Sequence, residues 1–221
     1  MLVSWWKWFA VFLVLYAIIG GLLMEVPRLD ILNESIRNTY YHVAQWFAML
    51  LLCTASLVFS IRYLSTGQHR FDVLAHETAF VALLTGIIGI TTGMVWAQFT
   101  WGAFWVNDVK LNGTAVSLLI YLAYFLLRSS LKEDGIRART AAVYNIFAFA
   151  MLMLFVMVLP RLTDSLHPGN GGNPAFGSYD MDNKMRMVFY PAILGWTLLG
   201  VWFIDLRIRL RKIEDTINEN D

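Results

Sequence analysis

Four histidines and one aromatic run carry the side chains of this sequence that could do chemistry. A neutral imidazole nitrogen is a common protein ligand for iron, copper or zinc. His42 stands in TYYHVAQW, His167 in SLHPGNGGNP, His69 in TGQHRFD, and His76 beside Glu77. The aromatic run is Trp96 to Asp108, WAQFTWGAFWVND, with three Trp and two Phe in thirteen residues and an acid at its end. At helical spacing Trp101, Trp105 and Asp108 fall at i, i+4 and i+7, on one face. Aromatic rings on one face make a flat apolar shelf. It would suit a large planar ligand, or the headgroup layer of a bilayer. Gly102 and the Asn112–Gly113 pair work against one continuous helix through this segment. Cys53 is the single cysteine and lies in an apolar run, so no paired-cysteine redox or zinc motif is available.

The elements that position these residues follow from composition. Of 221 residues, 58% are hydrophobic and 15% charged, against about 25% charged in a soluble domain. The chain reads as an all-α integral membrane protein. Its net charge of +1 gives no footprint for nucleic acid. A helix needs roughly 20 apolar residues to cross the hydrocarbon core. Six segments qualify, at about 5–24, 43–63, 73–95, 113–129, 139–159 and 187–206. The first has no small-residue cleavage site after it and reads as a retained span. No tandem repeat breaks the chain, so residues 1–221 are expected to form one polytopic domain.

Lys and Arg in the connections set the orientation. Eleven of the 17 lie on one side: Lys7, Arg62, Arg70, Arg128, Lys132, Arg137, Arg139, Arg207, Arg209, Arg211 and Lys212. The other six are Arg28, Arg37, Lys110, Arg161, Lys184 and Arg186. The richer side is expected to be cytoplasmic, with both termini. The Trp run then faces outward with the loops 26–41 and 160–186. His42 and His167 fall on that outer side, His69 and His76 on the inner one.

Ligands on opposite faces cannot share a metal, whereas His42 and His167 can. Zinc usually takes a third or fourth protein ligand, and the outer face offers only carboxylates for that role: Glu25, Asp30, Glu34, Asp108, Asp164, Asp180 and Asp182. A haem needs only two axial ligands and a flat aromatic wall, so two histidines beside the shelf fit it best. Each histidine also has a plain alternative, as an interfacial or hydrogen-bonded residue. His69 reads as a solvated loop residue and His76 as a capping or packing one. Trp46, Trp196 and Trp202 read as belt or bundle packing, and Met151, Met153 and Met157 as packing.

The run WGAFWVND resembles the tryptophan-rich signature of the haem-handling proteins of cytochrome c biogenesis, Trp-Gly-x-x-Trp-x-Trp-Asp. Trp101, Gly102, Trp105 and Asp108 match it, and Asn107 replaces its last Trp. The size, the six spans and the histidines before and after the Trp run are similar to the CcmC-type subunit, haem exporter protein C. The first histidine motif departs from the family in having Ala44 where Pro is usual. The resemblance implies that His42 and His167 are the axial ligands of a haem b, whose iron is the only metal. It implies that Trp101, Gly102, Trp105 and Asp108 hold the macrocycle at the periplasmic face of a bacterial inner membrane, with Trp96 belonging either to that shelf or, equally, to the aromatic belt. Asp108 would orient the segment, by capping the fourth span or pairing with Lys110, rather than touch iron. Arg37, Arg161 and Arg186 are candidate partners for propionates, but the preferred reading of each is a membrane-anchoring cation. The implied partners are a periplasmic haem chaperone of the CcmE type, ABC transporter subunits of the CcmA and CcmB types, a small single-span subunit of the CcmD type, and lipid. The implied role is presenting haem to the chaperone, not classical enzyme catalysis. Alternatives from other classes are a bis-histidine electron-transfer cytochrome and a cofactor-free transporter or structural subunit. The larger single-chain haem-attaching synthetase shares the Trp signature but needs more spans than this chain has.

Overall fold

A chain inside a bilayer can satisfy its own backbone polar groups only as helices or as a closed barrel. The computed structural model describes residues 4–28, 32–168, 175 and 181–218, and those residues form helices and no strand. Helix α1 spans Trp5–Leu23, and a 3₁₀ helix, Asn33–Tyr40, leads into α2, His42–Thr66. Helix α3 is His69–Trp101, α4 Val109–Ser130 and α5 Asp134–Met153. A π turn, Leu154–Val158, joins α5 to the short α6, Leu159–Leu162, and α7 runs over Asn183–Asn218. Six helical stretches are long and apolar enough to cross a membrane, one for each expected span. The protein is a multi-pass, all-α membrane protein.

Two cores hold the bundle. The larger joins α2 to α5 and the inner part of α7 around Met49, Leu52, Leu118, Tyr121, Tyr124 and Leu152. The smaller joins α1, the 3₁₀ helix, the start of α2 and the start of α7 around Ala17, Ile36, Tyr40, Met185 and Phe189. Large apolar side chains left outside these cores, such as Phe12, Phe99, Leu119 and Leu126, suit a lipid-facing surface.

Buried charge is paired, as it must be away from water. Arg128 donates to both oxygens of Asp72 at 2.6 Å. Arg207 and Arg211 both donate to Glu77, at 2.6 and 3.1 Å. Lys7 reaches Asp205 at 2.9 Å. His76 packs between these pairs and the rings of Tyr124 and Phe125, at 6.3 and 5.4 Å between centroids, whereas His69 is exposed at the start of α3. All of these lie toward the end of the bundle that is rich in Lys and Arg.

The Trp run is not one helix. Helix α3 carries it as far as Trp101 and stops at Gly102, which sits at φ +81° with its N–H donating to Gln98 O at 3.2 Å. A glycine reaches that left-handed conformation without strain and so ends the helix. Residues 103–107 are irregular, and Asp108 caps α4 by accepting from the N–H groups of Lys110 and Leu111 at 2.9 and 3.2 Å. The common face expected for Trp101, Trp105 and Asp108 therefore does not form. Asn112–Gly113 has the opposite outcome: α4 runs straight through it. A Cβ on Gly113 would come within 2.7 Å of the Phe155 carbonyl, so this glycine admits the π turn rather than breaking a helix.

Candidate functional site

His42 is the first residue of α2, and its ring lies in a groove on α3 made by missing side chains. Along α2, His42, Trp46 and Met49 follow helical spacing, and along α3 so do Gly93, Gly89 and Gly86. A Cβ on Gly93 would stand 2.4 Å from His42 Cε1, one on Gly89 3.0 Å from Trp46 Cε2, and one on Gly86 2.5 Å from Met49 Sδ. Small residues of this kind let membrane helices approach closely. The His42 Nδ1–H donates to Gly89 O at 2.7 Å. A carbonyl only accepts, so the lone pair of the neutral ring is on Nε2. Trp46 and Trp96 stand edge-on to the ring, with centroids 6.3 and 5.8 Å away. Trp96 is itself held by donation from Nε1 to Ser35 Oγ at 3.1 Å.

His167 is on a loop, and one carboxylate organises it. Asp108 Oδ1 accepts from His167 Nδ1 at 2.8 Å, and Oδ2 accepts from the Ser165 hydroxyl and the Leu166 N–H, each at 2.8 Å. Lys110 Nζ donates to Pro168 O at 2.9 Å, from the first turn of α4. Burial alone would raise the Asp108 carboxyl. The hydrogen bond and charge of His167, followed by the Leu166 N–H and the Ser165 hydroxyl, outweigh that effect and hold it well below the ordinary carboxylate range. Held as a carboxylate, Asp108 only accepts, so the His167 nitrogen that faces it, Nδ1, carries the proton of that hydrogen bond. Trp101 stacks edge-on against His167, at 4.8 Å and 69°.

Both imidazoles line one cavity, although one comes from α2 and the other from the loop after α6. Its walls include Ile36, Val43, Trp46, Phe47, Trp96, Val156 and Met157, with Lys110 and Arg161 as its cations. The cavity is partly open and has a volume of about 190 Å³, below the ~300–1,000 Å³ of pockets that enclose a drug-sized ligand. A large planar ligand would be gripped in part and left in part outside.

Of the residues singled out from sequence, His42, His167 and Trp96 line the cavity. Trp101 backs His167, and Asp108 links the loop to α4 through His167, Ser165 and Leu166, while Lys110 meets it through its backbone N–H rather than as an ion pair. Gly102 ends α3, and Trp105 lies outside the wall on the irregular stretch. Arg161 is in the wall, whereas Arg37 is tied to Glu34 and to the carbonyls of Gly21 and Met24, and Arg186 is not a wall residue. Glu25 pairs with Lys184, both of them exposed. Asp30 and Asp180 lie outside the described residues. Sequence reasoning expected Trp46 in belt or bundle packing, and it does pack in the bundle, but its place in the cavity wall was missed, as were those of Met157 and Lys110 and the role of Gly89 and Gly93. The four-residue step from His42 to Trp46 was the available signal for Trp46. The glycines at 86, 89 and 93 were the signal for the groove.

The donor chemistry suits a haem. Each ring has Nδ1 engaged by a fixed acceptor, the outer-shell arrangement that orients metal-ligating histidines, and the walls are apolar and aromatic.

Known proteins resemble this chain over most of its length. The family model for Heme exporter protein C, CcmC, matches residues 1–220. Heme exporter protein C of Paracoccus denitrificans is 23% identical over 177 residues, 80% of this chain and 73% of that protein. The protein of that name from Rhodobacter capsulatus is 23% identical over 185 residues, 82% of this chain and 74% of its own. Cytochrome c biogenesis protein CcsA of Parasynechococcus marenigrum is 36% identical over 100 residues, 45% of this chain but only 32% of that protein. The match thus spans about a third of the CcsA relative's length. With the family pattern running from residue 1 to residue 220, the chain belongs to the Heme exporter protein C family.

Proposed function

We propose that this protein binds haem b at the periplasmic face of a bacterial inner membrane, with His42 and His167 as axial ligands, and presents it to a periplasmic haem chaperone for cytochrome c maturation. The observation that carries the reading is the pair of imidazoles on one apolar cavity, each with Nδ1 committed to an acceptor. Haem would supply an iron that two Nε2 atoms can satisfy, which suits a carrier and leaves no open site for catalysis. Trp46 and Trp96 would face the macrocycle, and Trp101 would brace His167. Lys110 and Arg161 are the wall cations available to propionates. A shallow, partly open cavity leaves an edge of the ring accessible, as hand-over requires. The working partners would be a CcmE-type chaperone, CcmA- and CcmB-type transporter subunits and a CcmD-type single-span subunit.

The test is the absorption spectrum of protein purified from haem-replete cells, wild type beside His42→Ala and His167→Ala. The expected result is a six-coordinate b-type spectrum that each variant loses or converts to a five-coordinate one. Haem-free wild type, or variants with an unchanged spectrum, would overturn the proposal. Haem that is retained by wild type even in the presence of excess apo-chaperone would instead favour an electron-transfer cytochrome.

A further inference from the structure

Trp105 is in an unusual position for a residue of a ligand-binding signature. It lies between Gly102 and Asp108, where no helix fixes its side chain, and it is 42% exposed. Yet its indole is tethered. Trp105 Nε1–H donates to Asn112 Oδ1 at 3.2 Å, and Asn112 Nδ2–H donates to Asn107 Oδ1 at 2.9 Å. The order of this chain is dictated by chemistry. Indole N–H is only a donor, so the amide end facing it must be oxygen, and the nitrogen of Asn112 must then find an acceptor. Asn107 supplies one. Asn112 is in the first turn of α4, which Asp108 caps, so the relay connects a loose ring to a rigid element.

Asn107 is also the position where this chain departs from the Trp-rich pattern. A Trp there would offer a donor and no acceptor, and the Asn112 amide would lose the partner that orients it. We propose that Asn107 and Asn112 are positioning residues for Trp105. The amide relay holds the exposed Trp105 ring against the first turn of α4, where it would meet the outer edge of a planar aromatic ligand. That last role rests on the haem-binding reading above; the relay itself does not.

The experiment uses full-length protein in nanodiscs, labelled with ¹⁵N in the Trp indoles, without haem. The Trp105 N–H resonance is assigned by its absence in Trp105→Phe. The expected result is a slowly exchanging, hydrogen-bonded N–H in wild type and in Asn107→Asp, which keeps the acceptor. In Asn107→Leu and Asn112→Leu the resonance should shift upfield and exchange faster, with the other indole resonances unmoved. The double variant should behave like Asn112→Leu alone, because the effect of Asn107 passes through Asn112. A Trp105 resonance that ignores both single substitutions would overturn the proposal. So would one that moves equally in Asn107→Asp. Haem loss from the loaded protein is the second readout, with a rise in dissociation rate of about 2- to 10-fold in Asn107→Leu and none in Asn107→Asp. An intact relay with unchanged haem loss would overturn the ligand-facing role and leave haem binding standing. Wild type that takes up no haem would overturn the haem reading, and the indole resonances would still decide the relay.

Discussion

His42 owes its position to an atom that is missing from α3. A Cβ at position 93 would stand 2.4 Å from its ring, and the ring has little room to retreat between Trp46 and Trp96. Gly93→Ala is therefore expected to destabilise the protein by about 1–3 kcal/mol, as overpacking does, and to weaken haem binding more than its small volume suggests. Thermal unfolding in detergent and haem titration would measure the two effects. Asp108 is the counterpart on the loop side, and it holds groups that lie 57 to 59 residues beyond it in sequence. Asp108→Ala removes a helix cap, typically worth ~1 kcal/mol, and leaves the Leu166 N–H and the His167 ring without their acceptor. Amide hydrogen exchange over residues 163–168 is expected to accelerate strongly, with exchange in α2 unchanged. Unaltered protection of that loop would show that other contacts hold it.

At the scale of elements, the two proposed ligands are supported differently: one by a helix packed in a glycine groove, the other by a loop that Asp108 and Lys110 tie to the start of α4. The helices themselves were legible in the sequence, because apolar length is a one-dimensional property and a bilayer enforces it. The α3 stop at Gly102 was legible in part, since glycine placement hints at a break without saying which side of it stays helical. Trp46 and the glycine face were harder to read, because their meaning depends on the register between α2 and α3. The tie from Asp108 to Ser165 and Leu166 could not be seen at all, as nothing local marks it. The ion pairs at the opposite end of the bundle make their own prediction. Arg128 is the partner of a buried Asp72, so Arg128→Ala strands a carboxylate and is expected to cost about 3–5 kcal/mol. Asp72→Leu with Arg128→Met should recover most of that loss in thermal unfolding, since replacing both partners removes the buried charge.

For the whole molecule, the direction in which the bundle faces decides which compartment the cavity serves. Cys53 is buried, so cysteines introduced elsewhere can report alone. Thr163→Cys, at the cavity end, is expected to react with an impermeant maleimide on intact spheroplasts. Lys132→Cys, between α4 and α5, should react only after permeabilisation. The reverse pattern would invert the orientation and put the cavity on the cytoplasmic side. The same long-range architecture bears on biosynthesis. Insertion of α2 and α3 is enough to seat His42, but the carboxylate that holds His167 is made 57 residues before the Ser165 it must bind. A nascent chain therefore holds at most half of the pocket until the loop that carries His167 has been made, after α6 and before the last span. Until then a ribosome-bound intermediate has no means of gripping the proposed ligand from both sides.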